Sequence, residues 1–462
     1  MDPSAPPPRL RRSLGPLEVT FLAFSALSPA ASVYLYGAGV IQIGGSGAIL
    51  AILIGAPVAA VLGLLFGELA ATFPEAGGVY PAFIKVLGER LAFPYVMLML
   101  LISVTATAFV LLGLADYVRV LLPAVPELPM AWAALAGATV LAILGVRLGA
   151  RITGLFLIVE LLALAAVTAC AFFTPWTDAL SSTIHPFIMD HGHKTPLGGP
   201  AFGLAVVTAM FTCGGATWVL YFGEEMVDAH RRIGPVINWV SPLAAALIGV
   251  PLILAVLAAP HREAMIASDT PIAEFLHQVG GPKLSLIVSF GIALAVFNAV
   301  VAMLMSYARL IFSTARDLMW PRALAAPLGA IWNPTGAPMI ATLVLAAITG
   351  LGMLLGETLL IVLSANENVL EYALLGLAVI VGRKKGMTGH HHKVWPYPAL
   401  AVFAIIVAFG LVVADWMDPV SGRPSLIVLA VVLVFSFLYY PLVVRRRNRV
   451  KPPVPAPDAA DA

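Results

Sequence analysis

Residues Phe24 to Tyr34 read FSALSPAASVY, and the rest of the chain is interpreted around them. It lies inside the first apolar segment of membrane length, yet it contains three serines and Pro29. Proline removes a backbone donor and clashes with the preceding turn, so a continuous helix is not expected there. A broken helix at membrane depth is tolerated where it lines a cavity, and it is then a candidate binding site. A simple proline kink packed against neighbouring helices is the alternative interpretation.

The composition surrounding this stretch is that of a membrane protein. Hydrophobic residues make up 60% of the 462 residues, 11% are charged, and the mean hydropathy is +0.97. No soluble domain needs so much apolar sequence, so we expect an all-α, polytopic protein whose surroundings are the lipid bilayer. The first apolar segment is too long for a signal peptide and is expected to be retained. The net charge of +2 does not indicate a nucleic-acid partner, because the basic residues lie in short loops.

Twelve apolar segments, each of about 20 residues, predict twelve transmembrane helices. We refer to them as helices 1 to 12, with predicted bounds, in order, of 17–41, 48–72, 91–114, 130–148, 152–173, 201–222, 236–259, 284–314, 338–355, 359–382, 398–415 and 425–444.

The distribution of lysine and arginine predicts the orientation of the chain. With the N-terminus inside, 21 of the 26 basic residues fall on the inner side, and five fall outside. This asymmetry predicts that both termini are cytoplasmic in a cell membrane. The tails, residues 1–16 and 445–462, are rich in proline and are expected to be disordered.

A second interruption lies within helix 6, where residues 211–217 read FTCGGAT. The paired Gly214 and Gly215 weaken a helix and let another backbone or a ligand approach closely. Helices 1 and 6 each begin a unit of five helices, and breaks in corresponding helices indicate an inverted-repeat transporter. Tight helix packing at small residues is the alternative interpretation.

Five motifs occur in order along the chain. They read GELAATFPEAGGVY at 67–80, FGEEM at 222–226, SYARLIFSTARD at 306–317 with a proline at 321, NPTGAP at 333–338 and KVWPYP at 393–398. In this set the chain resembles the amino acid–polyamine–organocation (APC) permeases. The resemblance implies secondary transport of amino acids or amines by alternating access. It also implies a LeuT-type 5+5 inverted repeat with helices 1 and 6 broken, plus two peripheral helices. The implied core spans 17–382, with repeats at 17–175 and 199–382 and helices 11 and 12 within 396–444.

The same resemblance places the substrate at the two breaks. In such permeases the substrate carboxylate meets backbone N–H groups at the helix 1 break, and its ammonium meets carbonyls of helices 1 and 6. Half-helix N-termini suit an anion and C-termini suit a cation, so a zwitterion needs no charged side chain there. The positions implied for substrate binding are Ser28, Ala30, Ala31 and Ser32 on helix 1, and Phe211, Cys213, Gly214 and Gly215 on helix 6.

Three of these positions leave alternatives open. Ala30 and Ala31 occupy places where the family usually has glycine, which indicates either a smaller or differently angled substrate or a backbone path already set by Pro29. Phe211 lies four residues before Gly215, where relatives often carry an aromatic that closes over the substrate. An ordinary packing phenylalanine is the alternative for Phe211.

Three acids within the predicted helices are candidate proton-coupling residues, because a charge at mid-bilayer costs at least about 2.5 kcal/mol. Glu160 lies near the middle of helix 5, where some proton-coupled relatives carry a lysine in place of a sodium ion. A static hydrogen-bonding partner for unwound backbone is its alternative role. Glu367 and Glu371 share one face of helix 10 and suit proton binding, attraction of a cationic amine, or a packed polar stripe.

Other residues narrow the function. Glu68, Glu224 and Glu225 lie at cytoplasmic helix ends and are expected to pair with loop arginines as gate or structural contacts. The cysteines and histidines lack the spacing of a metal site, so we expect no metal or other cofactor. The sequence contains no recognisable nucleotide-binding loop and no nucleophile–base pair, so we expect that the protein is not an enzyme. Helix 8 has no pair of adjacent hydroxyl side chains at 292–299, which disfavours a sodium site.

We therefore expect a proton-coupled transporter of an amino acid or small amine. The alternatives are an exchanger, a sodium-linked carrier or a membrane nutrient sensor, and the oligomeric state is not indicated.

Overall fold

The computed structural model describes residues 12–444, apart from 123, 145, 191, 269, 333, 357–359, 361–363, 365–366 and 420–421. The described residues are almost entirely helical. By length and composition, eight of the described helices are long and apolar enough to cross a membrane. The apolar helices Glu127–Ile143 and Met339–Leu355 are shorter. The protein is therefore a multi-pass membrane protein. The number of twelve crossings stays a prediction, as do the boundaries of the two repeats.

Each predicted segment contains helix, and most bounds lie within a few residues of the prediction. In the first half of the chain the helices are Pro16–Leu27 and Pro29–Ala31 with Gly37–Gly44 (helix 1), Ala48–Thr72, Glu89–Leu121, Glu127–Ile143, Val146–Phe173, and Gly199–Cys213 with Ala216–Glu225 (helix 6). In the second half they are Ala229–Ala258, Pro271–Arg316, Met339–Gly352, Glu367–Lys384, Ala399–Met417 and Gly422–Tyr439.

Several short elements connect these helices and were not predicted. They are the helices Tyr80–Leu87, Ala179–Ile184, Arg262–Ala267 and Arg322–Leu328, and an antiparallel hairpin of strands β1 (Phe187–Asp190) and β2 (His193–Pro196). Their segments are too short and too polar to give a membrane-length signal.

The core is formed by helices 1 to 10, with helix 8 at its centre. Helix 8 packs against helices 1, 3, 4, 5 and 9, and helix 2 packs against helices 6 and 7. A positive φ of 70° at Gly281 separates the first turns of helix 8 from its long continuation to Arg316. Helix 11 packs on helices 10 and 6, and helix 12 packs on helices 3 and 11. Apolar side chains of helix 12, such as Val431 and Leu438, are exposed, as expected for a peripheral helix facing lipid.

The two ends of helix 1 contact different segments of the chain, and these contacts define two ends of the molecule. The chain before helix 1 pairs with the chain after helix 6, since the amide of Leu14 donates to the carbonyl of Glu225 over 2.9 Å. We name this end the tail face. At the other end of helix 1, the hydroxyl of Ser46 accepts from the amide of Phe187 over 3.0 Å and donates to the carbonyl of Ser182 over 2.8 Å. We name that end the hairpin face.

Candidate functional site

The break in helix 1 occurs where the sequence places it. The helix ends at Leu27, Ser28 adopts a left-handed conformation with φ 43° and ψ 87°, and a new helical turn begins at Pro29. The hydroxyl of Ser28 accepts from the amide of Ala31 over 3.1 Å, and the hydroxyl of Ser32 donates to the carbonyl of Leu27 over 3.1 Å. The serines of this stretch therefore satisfy backbone groups that the proline break releases.

Glu160 of helix 5 lies directly against this break. Its carboxylate accepts from the Ser28 hydroxyl over 3.1 Å and from the Asn298 side-chain amide of helix 8 over 3.1 Å. The backbone N–H of Ala30 donates to the same carboxylate. The Glu160 side chain is fully buried. One acid thus connects helices 1, 5 and 8 at the start of the second half of helix 1.

The break in helix 6 is built differently. Its first half ends at Cys213, Gly214 is extended with φ −76° and ψ 147°, and the second half is a 3₁₀-helix that begins at Ala216. A methyl group on Gly215 would lie 2.6 Å from Cδ2 of Leu27. Gly215 is therefore a glycine because the two broken helices meet there.

A cavity lies between the two breaks. Six of the eight predicted substrate-binding residues line it, namely Ser28, Ala31, Ser32, Phe211, Gly214 and Gly215. Ala30 and Cys213 are buried beside the cavity and are not among its described lining residues. The amide of Ala30 faces Glu160 instead, and Cys213 lies on the helix 6 turn that packs toward helix 7 near Gly249.

Sequence reasoning did not identify most of the aromatic wall of this cavity. The wall includes Tyr36, Phe66, Trp218, Tyr221, Tyr307 and Tyr372, besides Phe211. Met303 with Tyr307 on helix 8, and Asn368 with Tyr372 on helix 10, are pairs four residues apart and share a helix face. This spacing is the only feature of the sequence that could have indicated that these residues share a surface. It does not show whether that surface is a cavity wall or a packed core, because both are largely apolar.

The aromatic side chains form two groups on either side of the breaks. Tyr36 and Phe211 meet edge to face at 5.3 Å, in the halves of helices 1 and 6 that lead to the hairpin face. The ring centroid of Trp218 lies 5.3 Å from that of Tyr307 and 5.7 Å from that of Tyr221, and these three rings lie toward the tail face. Phe211 is thus part of the cavity wall, and its closing role stays a prediction.

Of the two predicted acids of helix 10, the structure describes the side chain of Glu371 and not that of Glu367. Glu371 lines the cavity, is 3% exposed and accepts a hydrogen bond from the Tyr95 hydroxyl of helix 3 over 2.6 Å. The side chain of Glu367 lies outside the described part of the chain. The predicted pairing of the two carboxylates therefore stays a prediction.

Ion pairs link the helices at the tail face. The three helix-end acids pair with arginines as expected, but the expectation that these arginines lie in loops is wrong. Glu224 contacts Arg316 at 2.9 Å, and the buried Glu225 pairs with Arg309. Glu68 accepts from Arg383 over 2.8 Å. These arginines belong to helices 8 and 10. Within the described residues, no group of three or more His, Cys, Asp or Glu side chains is placed to hold a metal ion.

Comparison with known proteins agrees with this architecture. The chain is 27% identical over 360 residues to an uncharacterized transporter of Mycobacterium tuberculosis, a match that covers 75% of this chain and 76% of that protein. It is 24% identical over 419 residues to the human Asc-type amino acid transporter 1, which covers 84% of this chain and 70% of the human protein. The sequence profile of the amino acid permease family matches residues 14–438. Because this match spans nearly the whole chain, the protein belongs to the amino acid permease family, within the APC superfamily.

Proposed function

We propose that this protein is a secondary active transporter that moves an amino acid or small organic amine across the cell membrane by alternating access. The observation that carries the proposal is the cavity at the meeting point of the two helix breaks, where Gly215 of helix 6 packs directly on Leu27 of helix 1. Broken helices that line a cavity are how transporters present backbone charges to a substrate. The proposal includes twelve membrane crossings in a LeuT-type 5+5 arrangement, with the tail face and both termini in the cytoplasm.

The substrate carboxylate is best accommodated at the second half of helix 6. Its first residues, from Gly215 to Thr217, line the cavity, and their amides have no acceptor within their own helical segment. At helix 1 the amide of Ala31 is already paired with the Ser28 hydroxyl, and that of Ala30 is paired with Glu160. A carboxylate at helix 1 therefore competes with side chains of the protein, whereas at the first amides of the second half of helix 6 no side chain of the described residues competes with it.

The substrate ammonium is accommodated at the carbonyl ends of the first halves of the two helices. Ala26 and Leu27 lie in the last turn of one half, Phe211 and Thr212 lie in the last turn of the other, which ends at Cys213, and all four line the cavity. The carbonyl of Leu27 also accepts from the Ser32 hydroxyl, and that of Phe211 from the Gly214 amide. The last carbonyls of a helix have no intrahelical donor and carry partial negative charge. A zwitterion placed between the breaks thus meets complementary backbone charge at both of its ends.

We propose Glu160 as the residue that couples transport to protons. A charged carboxylate accepts stronger hydrogen bonds than a neutral carboxyl. Protonation of Glu160 therefore weakens its contacts with Ser28, Ala30 and Asn298, which hold the helix 1 break against helices 5 and 8. A proton moved inward supplies about 2.3 kcal/mol per 100 mV of membrane potential. An exchanger or sodium-linked carrier is the alternative within transport, and a membrane nutrient sensor is the alternative outside it.

Opening toward either side requires different contacts to separate. At the tail face the ion pairs Glu224–Arg316 and Glu225–Arg309 connect the end of helix 6 to helix 8. At the hairpin face Tyr36 and Phe211 lie across the cavity, and β1 packs against the turn between helices 1 and 2. We propose these as the two gates.

Uptake into proteoliposomes tests the proposal. Labelled amino acids and amines are supplied with a proton gradient, a sodium gradient or no gradient. We expect accumulation of at least one amino acid or amine under a proton gradient. If no compound of the panel accumulates or exchanges, the transporter assignment is wrong. Uptake driven only by sodium would remove the proton-coupling proposal and leave transport standing.

Glu160→Gln tests the coupling residue itself. The amide keeps the size of the carboxyl but cannot titrate, so we expect gradient-driven accumulation to fall to the level of exchange. Substrate exchange without a gradient is expected to continue. Asp415→Asn is the matched control, because Asp415 is a buried acid of helix 11 outside the cavity. A Glu160→Gln protein with full pH-driven accumulation would assign Glu160 the static role.

A further inference from the structure

A buried side chain beside Glu160 carries a polar atom that the proposed function does not use. Asn298 of helix 8 is fully buried, and its Nδ2 donates to Oε1 of Glu160 over 3.1 Å. Its Oδ1 is also buried and has no hydrogen-bond partner among the described residues. A buried carbonyl oxygen without a donor is unfavourable, so its presence needs a physical reason. An acceptor that is used only when Glu160 carries a proton is such a reason.

The shape of a side-chain amide allows Asn298 to serve both protonation states of Glu160. The oxygen and the nitrogen of an asparagine amide are nearly equal in size, and a half-turn of the amide exchanges a donor for an acceptor. In the orientation that the structure shows, the amide presents a donor to Glu160, which suits a carboxylate. After a half-turn it presents Oδ1, which suits the O–H of a neutral carboxyl. Asn298 can therefore bond Glu160 in either state without moving its backbone.

The other partners of Glu160 suit its charged form. The backbone N–H of Ala30 is a donor and cannot accept a proton. The Ser28 hydroxyl donates to Oε2 of Glu160, and its oxygen already accepts from the amide of Ala31 over 3.1 Å. No other titratable or charged side chain of the described residues contributes to the environment of Glu160. The proton of a neutral Glu160 is therefore best accommodated by Oδ1 of Asn298.

We propose that Asn298 is a positioning residue for proton coupling, and that its side-chain amide turns over when Glu160 takes up a proton. The proposal rests on the proposed function, since it concerns the residue that carries the coupled proton. In the ionised state Nδ2–H donates to the carboxylate, and in the neutral state the carboxyl O–H donates to Oδ1. Helix 8 thus stays bonded to helix 5 in both states, whereas the hydrogen bonds that Ser28 and Ala30 of helix 1 donate become weaker on protonation. Protonation therefore loosens helix 1 selectively.

Infrared difference spectroscopy of the reconstituted protein tests the turn of the amide. Spectra recorded above and below the pH midpoint of uptake are expected to show the C=O stretch of a carboxyl that takes up a proton, and this band is expected to be missing in Glu160→Gln. In Asn298→Leu the carboxyl O–H loses its acceptor, so we expect the band to move to higher frequency. Thr349→Val is the matched control, because the Thr349 hydroxyl of helix 9 is also buried without a partner among the described residues and does not contact Glu160. It is expected to leave the band in its wild-type place.

The pH profile of uptake gives an independent measurement. Asn298→Asp places a second carboxyl beside Glu160, and two carboxyls that share one proton hold it more tightly. We expect the pH of half-maximal accumulation to rise by about one unit or more, which is an increase of about tenfold or more in proton affinity. Asn298→Leu removes one hydrogen bond from the ionised state and one from the neutral state, so its midpoint is expected to move less. Thr349→Val is expected to keep the wild-type midpoint.

The outcomes separate this inference from the proposed function. A carboxyl band in the same place in Asn298→Leu as in the wild type would overturn the inference and leave Glu160 as the coupling residue. A band that moves in Ser28→Ala and not in Asn298→Leu would assign the proton to the serine and would also overturn it. A band that persists in Glu160→Gln would instead contradict the coupling role of Glu160, on which the proposed function depends.

Discussion

The breaks in helices 1 and 6 line the same cavity but are built with different chemistry. In helix 1, Pro29 forces the break, and the side chains of Ser28, Ser32 and Glu160 occupy the backbone groups that it releases. In helix 6, Gly214 and Gly215 allow the break, and Gly215, Ala216 and Thr217, which begin the second half, line the cavity. We call the first break closed, because the protein's own side chains pair with its backbone groups, and the second open, because its first residues line the cavity. Under the proposed function, this difference favours substrate binding mainly at helix 6 and coupling at helix 1.

The largest expected effect tests the contact between the breaks. Gly215→Val adds a Cβ that would lie only 2.6 Å from Cδ2 of Leu27, and its two methyl groups need further space. We expect transport to fall to background, and the thermal midpoint in detergent to drop, because overpacking costs about 1–3 kcal/mol. Uptake and thermal unfolding of the purified protein measure the two effects.

Two further variants make this test specific. Gly199→Ala changes a glycine of the same helix that has nothing within 4 Å of its would-be Cβ, so it is expected to behave as the wild type. Leu27→Ala combined with Gly215→Val is expected to recover part of the lost stability, as for residues in direct contact. Simple additivity in the double variant would show that the two breaks are not coupled through this contact.

An intermediate effect is expected at the closed break. Ser28→Ala removes the acceptor for the Ala31 amide and one donor to Glu160. We expect a loss of about 1–3 kcal/mol in stability, the cost of leaving buried polar groups unpaired. Gradient-driven accumulation is expected to decline more than exchange, since Glu160 loses a contact with helix 1. Thermal unfolding and the two uptake assays measure these changes.

The control for Ser28 lies on the same helix. The hydroxyl of Thr20 is buried and has no hydrogen-bond partner within the described part of the chain. Thr20→Val is therefore expected to be neutral or slightly stabilising. If Ser28→Ala is equally neutral, the helix 1 break is not held by the serine, and the distinction between a closed and an open break fails.

The smallest effect is expected at Phe211, next to the open break. Phe211→Ala removes its edge-to-face contact with Tyr36 and enlarges the cavity. We expect the apparent affinity for substrate to fall by about two- to tenfold, the value of one aromatic contact, with smaller change in maximal rate. Phe409→Ala, at an exposed position of helix 11, is the control. A loss of stability without a change in affinity would favour the packing role for Phe211.

Residues close together in sequence account for most of what was predicted correctly. The break positions follow from Pro29 and from Gly214–Gly215, since backbone conformation depends on the residue itself and its neighbours. The helix segments follow from apolar runs of membrane length. The pairing of Glu68, Glu224 and Glu225 with arginines follows from their place at helix ends, although the arginines lie in helices 8 and 10 and not in loops as predicted.

Residues distant in sequence account for what was missed. The hydrogen bond from Asn298 to Glu160 joins residues 138 positions apart, and that from Tyr95 to Glu371 joins residues 276 positions apart. The membrane environment makes almost every helix apolar on all sides, so periodicity does not tell which face meets a cavity. For this reason the sequence did not predict most of the aromatic residues that line the cavity, or that Ala30 and Cys213 are not among its described lining residues.

From the residues alone it follows that the chain is an all-helical membrane permease and where helices 1 and 6 break, because length, hydropathy and local backbone preference are properties of single segments. The surroundings of the two breaks follow from the folded chain alone. Folding brings Glu160 to the helix 1 break, places the first residues of the second half of helix 6 in the lining of a cavity, and places Glu371 in the wall of that cavity. These relations depend on how helices 1, 5, 6, 8 and 10 pack together, and packing between distant segments is not encoded in any one of them.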